Sequence, residues 1–75
     1  MVKLRIKMGT NLSKTVEVRP YDHLYVLLDK LDITDKSVKI LFNGETYPIA
    51  SILKFEEIGI NSDCNIILMN RAIAG

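Results

Sequence analysis

Apolar and polar residues alternate strictly at the start of the chain. Even positions from 2 to 6 are aliphatic and odd positions from 3 to 7 are basic, and a second alternating run at 15–19 follows turn residues at 9–11. Because alternate side chains share a face of a strand, the pattern predicts an N-terminal β-hairpin with one buried face. Lys14 falls on the inward side of the second run, which predicts a bulge or altered pairing near the turn.

Leucines recur at helical spacing after the hairpin, at Leu24, Leu27, Leu28 and Leu31. This i, i+3, i+4, i+7 pattern predicts one helix with an apolar stripe that packs on the sheet. Pro20 ends the second strand, and Asp22 is in a position typical of a helix N-cap. His23 is expected to be an exposed residue in the first helical turn.

The second half of the chain contains three further β-type segments. A β-branched and aromatic run at 38–42 stops at Asn43-Gly44, a strong hairpin turn, and a short strand at 45–47 returns from it. A β-rich segment at 65–69 closes the chain. The connection between them is expected to be irregular, with apolar anchors at Ile52, Leu53, Phe55 and Ile58. The order predicts an α+β fold, a mixed four- to five-stranded sheet packed on one helix.

Composition limits the classes of function. The 75 residues are 48% hydrophobic and 25% charged, with a net charge of +1, which predicts one ordered domain without a strong field for nucleic acid or an anionic membrane. The longest apolar runs fall far short of the roughly 20 residues that span a bilayer. A single cysteine, Cys64, and a start at Met1 without an apolar leader favour a cytoplasmic or nuclear location.

No group of residues forms a catalytic or cofactor motif. The glycines are too dispersed for a nucleotide-binding loop, and one histidine and one cysteine cannot make the usual four-ligand zinc site. Glu56 and Glu57 are adjacent, so their side chains are expected to point apart. Aromatic residues do not interleave with the basic stripe at 3–7, which argues against nucleic-acid binding. We therefore expect no enzyme activity, no cofactor and no metal.

The closing strand is apolar on both faces. If Ile66 and Leu68 face the core, Ile67 and Met69 must face outward, and Leu41 has the same property in the third strand. Further apolar residues near the first turn, Met8 or Leu12, could extend the same surface. These residues predict a protein-binding patch. The alternative, that some of them are scattered or covered by a loop, stays open from the sequence.

Four stretches of the chain, 2–7, 17–22, 39–44 and 55–60, together resemble the ubiquitin-like β-grasp superfamily. The resemblance covers nearly the whole chain and implies a β-grasp domain at 1–70 with a flexible tail at 71–75. Leu41 resembles the centre of ubiquitin's recognition patch, Met69 resembles its residue on the last strand, and Ile67 stands where ubiquitin has histidine.

The tail resembles that of conjugated modifiers. Arg71 matches the arginine that activating enzymes select, Gly75 stands at the reactive carboxylate, and Ala74 replaces a glycine found in ubiquitin. The resemblance thus implies a monomeric modifier joined to target lysines by an isopeptide bond, with activating enzymes, conjugating enzymes and receptors as partners. A ubiquitin-like interaction domain that is not conjugated is the alternative, and a sulfur carrier is a lesser one.

Overall fold

The computed structural model describes residues 1–9 and 11–69. Its regular elements are, in chain order, strand β1 (Val2–Lys7), strand β2 (Ser13–Val18), helix α1 (Val26–Lys30), strand β3 (Lys39–Phe42), strand β4 (Glu45–Pro48), a 3₁₀ helix (Phe55–Ile58) and strand β5 (Cys64–Met69). The predicted α+β class, a mixed sheet with one helix, is confirmed.

The strands form one sheet in the order β2-β1-β5-β3-β4. The two hairpins, β1 with β2 and β3 with β4, are antiparallel, and β5 pairs in parallel with β1 and antiparallel with β3. Asn43 and Gly44 connect β3 to β4 with positive φ angles of 53° and 81°, the conformation of a two-residue hairpin turn. The last strand thus joins two separate hairpins.

One face of the sheet supports the hydrophobic core. The alternation in β1 places Val2, Leu4 and Ile6 on this face, where they pack with Leu27 of α1 and Phe55 of the 3₁₀ helix. The other core residues are aliphatic and come from β2, β3, β5 and the segments that connect the regular elements: Val18, Leu24, Leu31, Val38, Ile40, Ile49, Ile60 and Ile66. Burying a side chain of this size contributes about 1.5–3 kcal/mol relative to leaving it exposed.

Pairing of the first hairpin is regular, and the predicted irregularity at Lys14 is wrong. The ladder runs without interruption from Val2 opposite Val18 to Lys7 opposite Ser13. Lys14 lies opposite Ile6, on the core side of β2, yet it is exposed. The core covers only the other end of β2, so an inward position there stays in contact with water.

The predicted start of the helix is also wrong. α1 begins at Val26, and the N–H groups of Leu24 and Tyr25 donate to the carbonyl oxygens of Leu53 (2.8 Å) and Ser51 (3.2 Å). Backbone bonds to another segment therefore replace the expected first helical turn. Asp22 does not cap α1, because its Oδ2 accepts the N–H of Arg19 at 2.8 Å.

His23 precedes α1 and is half-buried, so the expectation of an exposed histidine in the first helical turn is wrong. Its Nδ1 lies 2.6 Å from the carbonyl oxygen of Ile52, which requires the ring N–H to donate. The ring also stacks on Tyr25 with 5.2 Å between centroids. His23 therefore fixes the 49–55 segment to the start of the helical region.

The apolar anchors predicted in this connection are only partly correct. Phe55 is fully buried and Ile58 packs against the core, whereas Leu53 is 37% exposed and Ile52 is 77% exposed. Ile52 and Leu53 act through their carbonyl groups, which accept bonds from His23 and Leu24. The backbone carbonyl groups of these two residues thus hold the connection against the segment before α1, while their side chains face water.

Candidate protein-binding surface

The face of the sheet opposite the core is called here the outer face. Its side chains alternate with the core residues, so their positions follow from the register. They are Lys3, Arg5 and Lys7 on β1, Asn65, Ile67 and Met69 on β5, Lys39 and Leu41 on β3, Ser13, Thr15 and Glu17 on β2, and Thr46 and Pro48 on β4.

Ile67 occupies the middle of the outer face. On one side it is paired with Leu41 of β3, and on the other it is paired with Lys7 of β1. Met69 is the next outward residue of β5 and is paired with Lys39. Ile67 is 44% exposed and Met69 is 42% exposed, while Leu41 is half-buried. Leu41, Ile67 and Met69 form what we call the apolar patch.

The two candidates near the first turn differ from each other. Met8 is half-buried and packs against the core, and its N–H donates to the carbonyl oxygen of Leu12 at 2.7 Å. Leu12 is 54% exposed and lines a surface groove together with Ile67. The structure thus brings Leu12 close to the apolar patch, whereas part of Met8 packs against the core. Binding by any of these residues stays a prediction.

The groove has a volume of about 470 Å³ and is bounded by β1, β5 and the start of β2. Its lining combines cationic, polar and aliphatic residues: Arg5, Lys7, Asn11, Leu12, Ser13, Asn65, Ile66 and Ile67. Sequence reasoning identified the basic stripe on β1 and the apolar residues on β5, but not their combination. To predict the groove, one would have to know that β1 pairs with β5, and the periodic pattern within one strand does not reveal that pairing.

Side chains that were considered for catalysis have structural roles. Glu57 Oε1 accepts the N–H of Lys54 at 2.8 Å and so caps the 3₁₀ helix. His23 bonds to the carbonyl of Ile52, and no hydrogen bond joins it to Cys64 within residues 1–9 and 11–69. Nδ1 of His23 is thus engaged by a backbone carbonyl group.

Cys64 is a free, partly buried cysteine at the start of β5. Burial raises the pKa of its thiol above the usual value, and the neighbouring Asp63 carboxylate raises that pKa further. Both effects disfavour the thiolate, the nucleophilic and metal-binding form. In the described part of the chain, no cluster of three or more His, Cys, Asp or Glu residues is arranged to hold a metal ion. No helix there is long and apolar enough to cross a membrane.

The residues predicted to support conjugation, Arg71, Ala74 and Gly75, lie outside the described residues, as does the tail at 71–75 as a whole. Their role stays a prediction from the sequence.

Comparisons with known proteins give no match by sequence: no protein-family model and no curated protein matches the chain significantly. Solved structures do match. The ubiquitin-like domain of Arabidopsis thaliana protein At2g32350 superposes with a TM-score of 0.79 at 20% identity, over 99% of this chain and 81% of that one.

Two further matches are chains from protein complexes. One comes from ATBAG1 in complex with HSP70, with a TM-score of 0.73 at 15% identity over 93% of this chain. The other comes from the pParkin-pUb-UbcH7 complex, with a TM-score of 0.71 at 16% identity over 92% of this chain. This chain spans only 40% and 22% of those two chains. Because all three structures superpose on nearly the whole chain with TM-scores above 0.7, the chain has the ubiquitin-like β-grasp fold.

Proposed function

We propose that this chain is a protein-interaction domain that docks its partners through the apolar patch. The observation that carries the proposal is the position of Ile67, a large aliphatic side chain that is 44% exposed at the centre of the outer face. A cluster of exposed apolar residues on a small fold marks a surface that becomes covered by another protein.

The neighbours of Ile67 suit a central contact. Leu41 supports it from β3, and Met69 extends the apolar surface along β5. Methionine has a flexible, polarisable side chain that adapts to different partners. Because binding energy concentrates in a few well-packed central residues, we expect Ile67 and Leu41 to dominate affinity.

Two of the similar structures also support a binding role, since they are chains from complexes with HSP70 and UbcH7. Those partners belong to those proteins and are not assigned to this chain. By analogy of fold alone, we propose that this chain acts without enzymatic activity of its own, as a monomer, in the cytoplasm or nucleus.

Conjugation is a second candidate function, favoured by Arg71 and Gly75 in the sequence. In this scheme a partner enzyme would use ATP to convert the Gly75 carboxylate to an acyl adenylate with release of pyrophosphate. An enzyme cysteine would displace AMP to form a thioester, and the amine of a target lysine would displace that thiol to form the isopeptide bond. Mass spectrometry of denatured lysate from cells that express a tagged chain would detect lysines carrying the Gly75 remnant. Remnants that disappear when Gly75 is deleted would establish the modifier, and their absence would leave the docking role. A terminal thiocarboxylate would instead indicate a sulfur carrier.

The docking proposal is tested by comparing two isoleucine variants of equal size change. Ile67→Ser removes the centre of the patch, whereas Ile52→Ser changes an isoleucine that is 77% exposed and lies outside it. Proteins captured by the unmodified chain should be retained by Ile52→Ser and lost with Ile67→Ser, and purified copies of those proteins should show the same difference. Equal retention by both variants would refute the proposal.

A further inference from the structure

The two cations closest to the apolar patch on β1 have no charged neighbour across the sheet. Arg5 lies between Thr15 of β2 and Asn65 of β5. Lys7 lies between Ser13 of β2 and Ile67 of β5 in the same way. Cross-strand partners are the nearest side chains on a sheet, so neither positive charge has an acidic side chain directly opposite it.

Acidic groups on this side of the molecule collect at the other end of β1. Glu17 is paired with Lys3, and Asp63 Oδ1 accepts the N–H of Lys3 at 2.8 Å. Within residues 1–9 and 11–69, neither Arg5 nor Lys7 forms an ion pair. The outer face is therefore locally cationic beside Ile67, although the whole chain has a net charge of only +1.

A groove places these charges next to apolar surface. Arg5 and Lys7 line it together with Leu12 and Ile67, and Asn65 adds a polar amide. Leu12 is 54% exposed, so the groove presents an aliphatic wall as well as a cationic one. A partner that only offered apolar groups would leave two cations desolvated, which is costly. A partner that only offered anions would leave Leu12 and Ile67 in water.

We propose that this groove binds an acidic amphipathic segment of a partner protein, with carboxylates against Arg5 and Lys7 and an apolar side chain against Leu12 and Ile67. The inference rests on the proposed function and adds the chemistry of the partner. Arg5 can hold a carboxylate through two parallel N–H bonds, and Lys7 supplies a point charge. The charge complementarity fixes the orientation of the segment and speeds its association.

The aromatic residues favour a peptide over a nucleic acid. Single-stranded nucleic acid needs exposed aromatic rings on which bases stack. Phe55 is fully buried, and the register places Phe42 and Tyr47 on the core side of their strands. Tyr21 and Tyr25 precede α1 and are not part of the sheet. The outer face, as far as the structure describes it, has cations without a stacking platform.

The test uses a fluorescein-labelled synthetic peptide in which an Ile-Leu pair is flanked on both sides by runs of Glu and Asp. Fluorescence anisotropy measures its binding to the full chain and to the double variant Arg5→Glu, Lys7→Glu. The matched control, Lys30→Glu with Lys36→Glu, makes the same change in net charge at exposed positions on the helix and in the loop after it. A milder pair, Arg5→Gln with Lys7→Gln, covers the case in which charge reversal disturbs folding, as judged by circular dichroism.

We expect the Arg5 and Lys7 reversal to weaken binding about tenfold and the control pair to change it less than about twofold. Affinity should also fall with added NaCl, because salt screens exposed charges. Equal loss in both double variants would overturn the proposal. Equally tight binding of a peptide with Lys in place of every acidic residue would overturn it, as would tight binding of labelled oligothymidylate without binding of the acidic peptide.

The two proposals fail in different ways. If partner capture is lost with Ile67→Ser but persists in the Arg5 and Lys7 reversal, the docking function stands and the acidic partner is refuted. If capture persists with Ile67→Ser while the acidic peptide still depends on Arg5 and Lys7, the groove binds acidic segments and the apolar patch is not the docking site.

Discussion

Ile67 and Leu41 form a cross-strand pair on the outer face, but they differ in exposure, since Ile67 is 44% exposed and Leu41 is half-buried. Leu41 therefore supports the surface by packing beside Ile67, and Ile67 provides more of the area that a partner can contact. Substitutions at the two positions should have different effects on stability, although both residues belong to the apolar patch.

The first prediction concerns aspartate in the apolar patch. Leu41→Asp places a charge in a half-buried site and should lower the free energy of unfolding by about 1–3 kcal/mol. Met69→Asp changes an exposed residue at the end of β5 and should lower the free energy of unfolding by less than about 1 kcal/mol. Urea unfolding followed by circular dichroism measures both, and similar losses would contradict the difference in exposure. Binding studies should therefore use Ile67 or Met69 variants, which keep the fold.

The second prediction concerns Phe55, the largest fully buried side chain. Phe55→Ala should lower the free energy of unfolding by about 3–5 kcal/mol because it leaves a cavity. A chain of this size has a total stability of roughly 4–11 kcal/mol, so the variant is expected to lose a large share of it and to unfold at a markedly lower temperature. Ile52→Ala, at the 77% exposed isoleucine nearby, should change stability by less than about 0.5 kcal/mol. Thermal unfolding of the two variants measures this difference. Similar losses of stability in both would show that Phe55 is not buried in the core as described.

The third prediction concerns Gly59, which ends the 3₁₀ helix at φ 94°. A Cβ here would lie 3.8 Å from Cε2 of Phe42, an ordinary contact, so the cost of a side chain comes from the backbone. Gly59→Ala should destabilise the fold by about 1 kcal/mol, and Gly59→Asn should cost less because asparagine tolerates the left-handed conformation better. The two denaturation midpoints can be compared directly. An alanine variant as stable as the parent would exclude this strain.

The fourth prediction concerns the reactivity of Cys64. Because burial and the Asp63 carboxylate raise the pKa of the thiol, iodoacetamide should modify the folded chain more slowly than the urea-unfolded chain at neutral pH. The raised pKa belongs to the folded state, so its contribution to stability is complete below the unfolded pKa and is lost as the pH rises through the folded one. A Cys64→Ala variant should lose less stability than the parent between neutral and strongly alkaline pH. Faster alkylation of the folded chain would contradict the shift.

Local pattern was sufficient to predict much of the fold. The alternation from Val2 to Lys7 identified a strand and its buried face, and Asn43-Gly44 identified a hairpin turn. In each case neighbours in the sequence determine the structure, through side-chain alternation or through the positive φ that the turn requires.

The errors arose where distant segments interact. Leucine spacing predicted a helix over 24–31, yet the N–H groups of Leu24 and Tyr25 bond to Leu53 and Ser51, and α1 is only Val26–Lys30. Ile52 was predicted to be an apolar anchor because its side chain is aliphatic. In the structure that side chain is exposed, and the contact is made by its backbone carbonyl, which accepts a hydrogen bond from His23.

The same distinction between local pattern and distant contacts applies to the candidate surface. The outward direction of Ile67 and Met69 followed from alternation along β5, whereas the groove depends on Arg5 and Lys7 of β1 lying beside β5. That adjacency is a property of sheet order and cannot be obtained from the periodicity of either strand.

The central place of β5 has a consequence for synthesis on the ribosome. Strand β5 is the last element of the described chain, and it lies between β1 and β3. Before it emerges, no strand joins the hairpin of β1 and β2 to the hairpin of β3 and β4. An isolated hairpin is marginally stable at best in water. The fold must therefore be completed after translation of Met69, and a nascent chain stalled before Cys64 exposes aliphatic strands to chaperones and proteases.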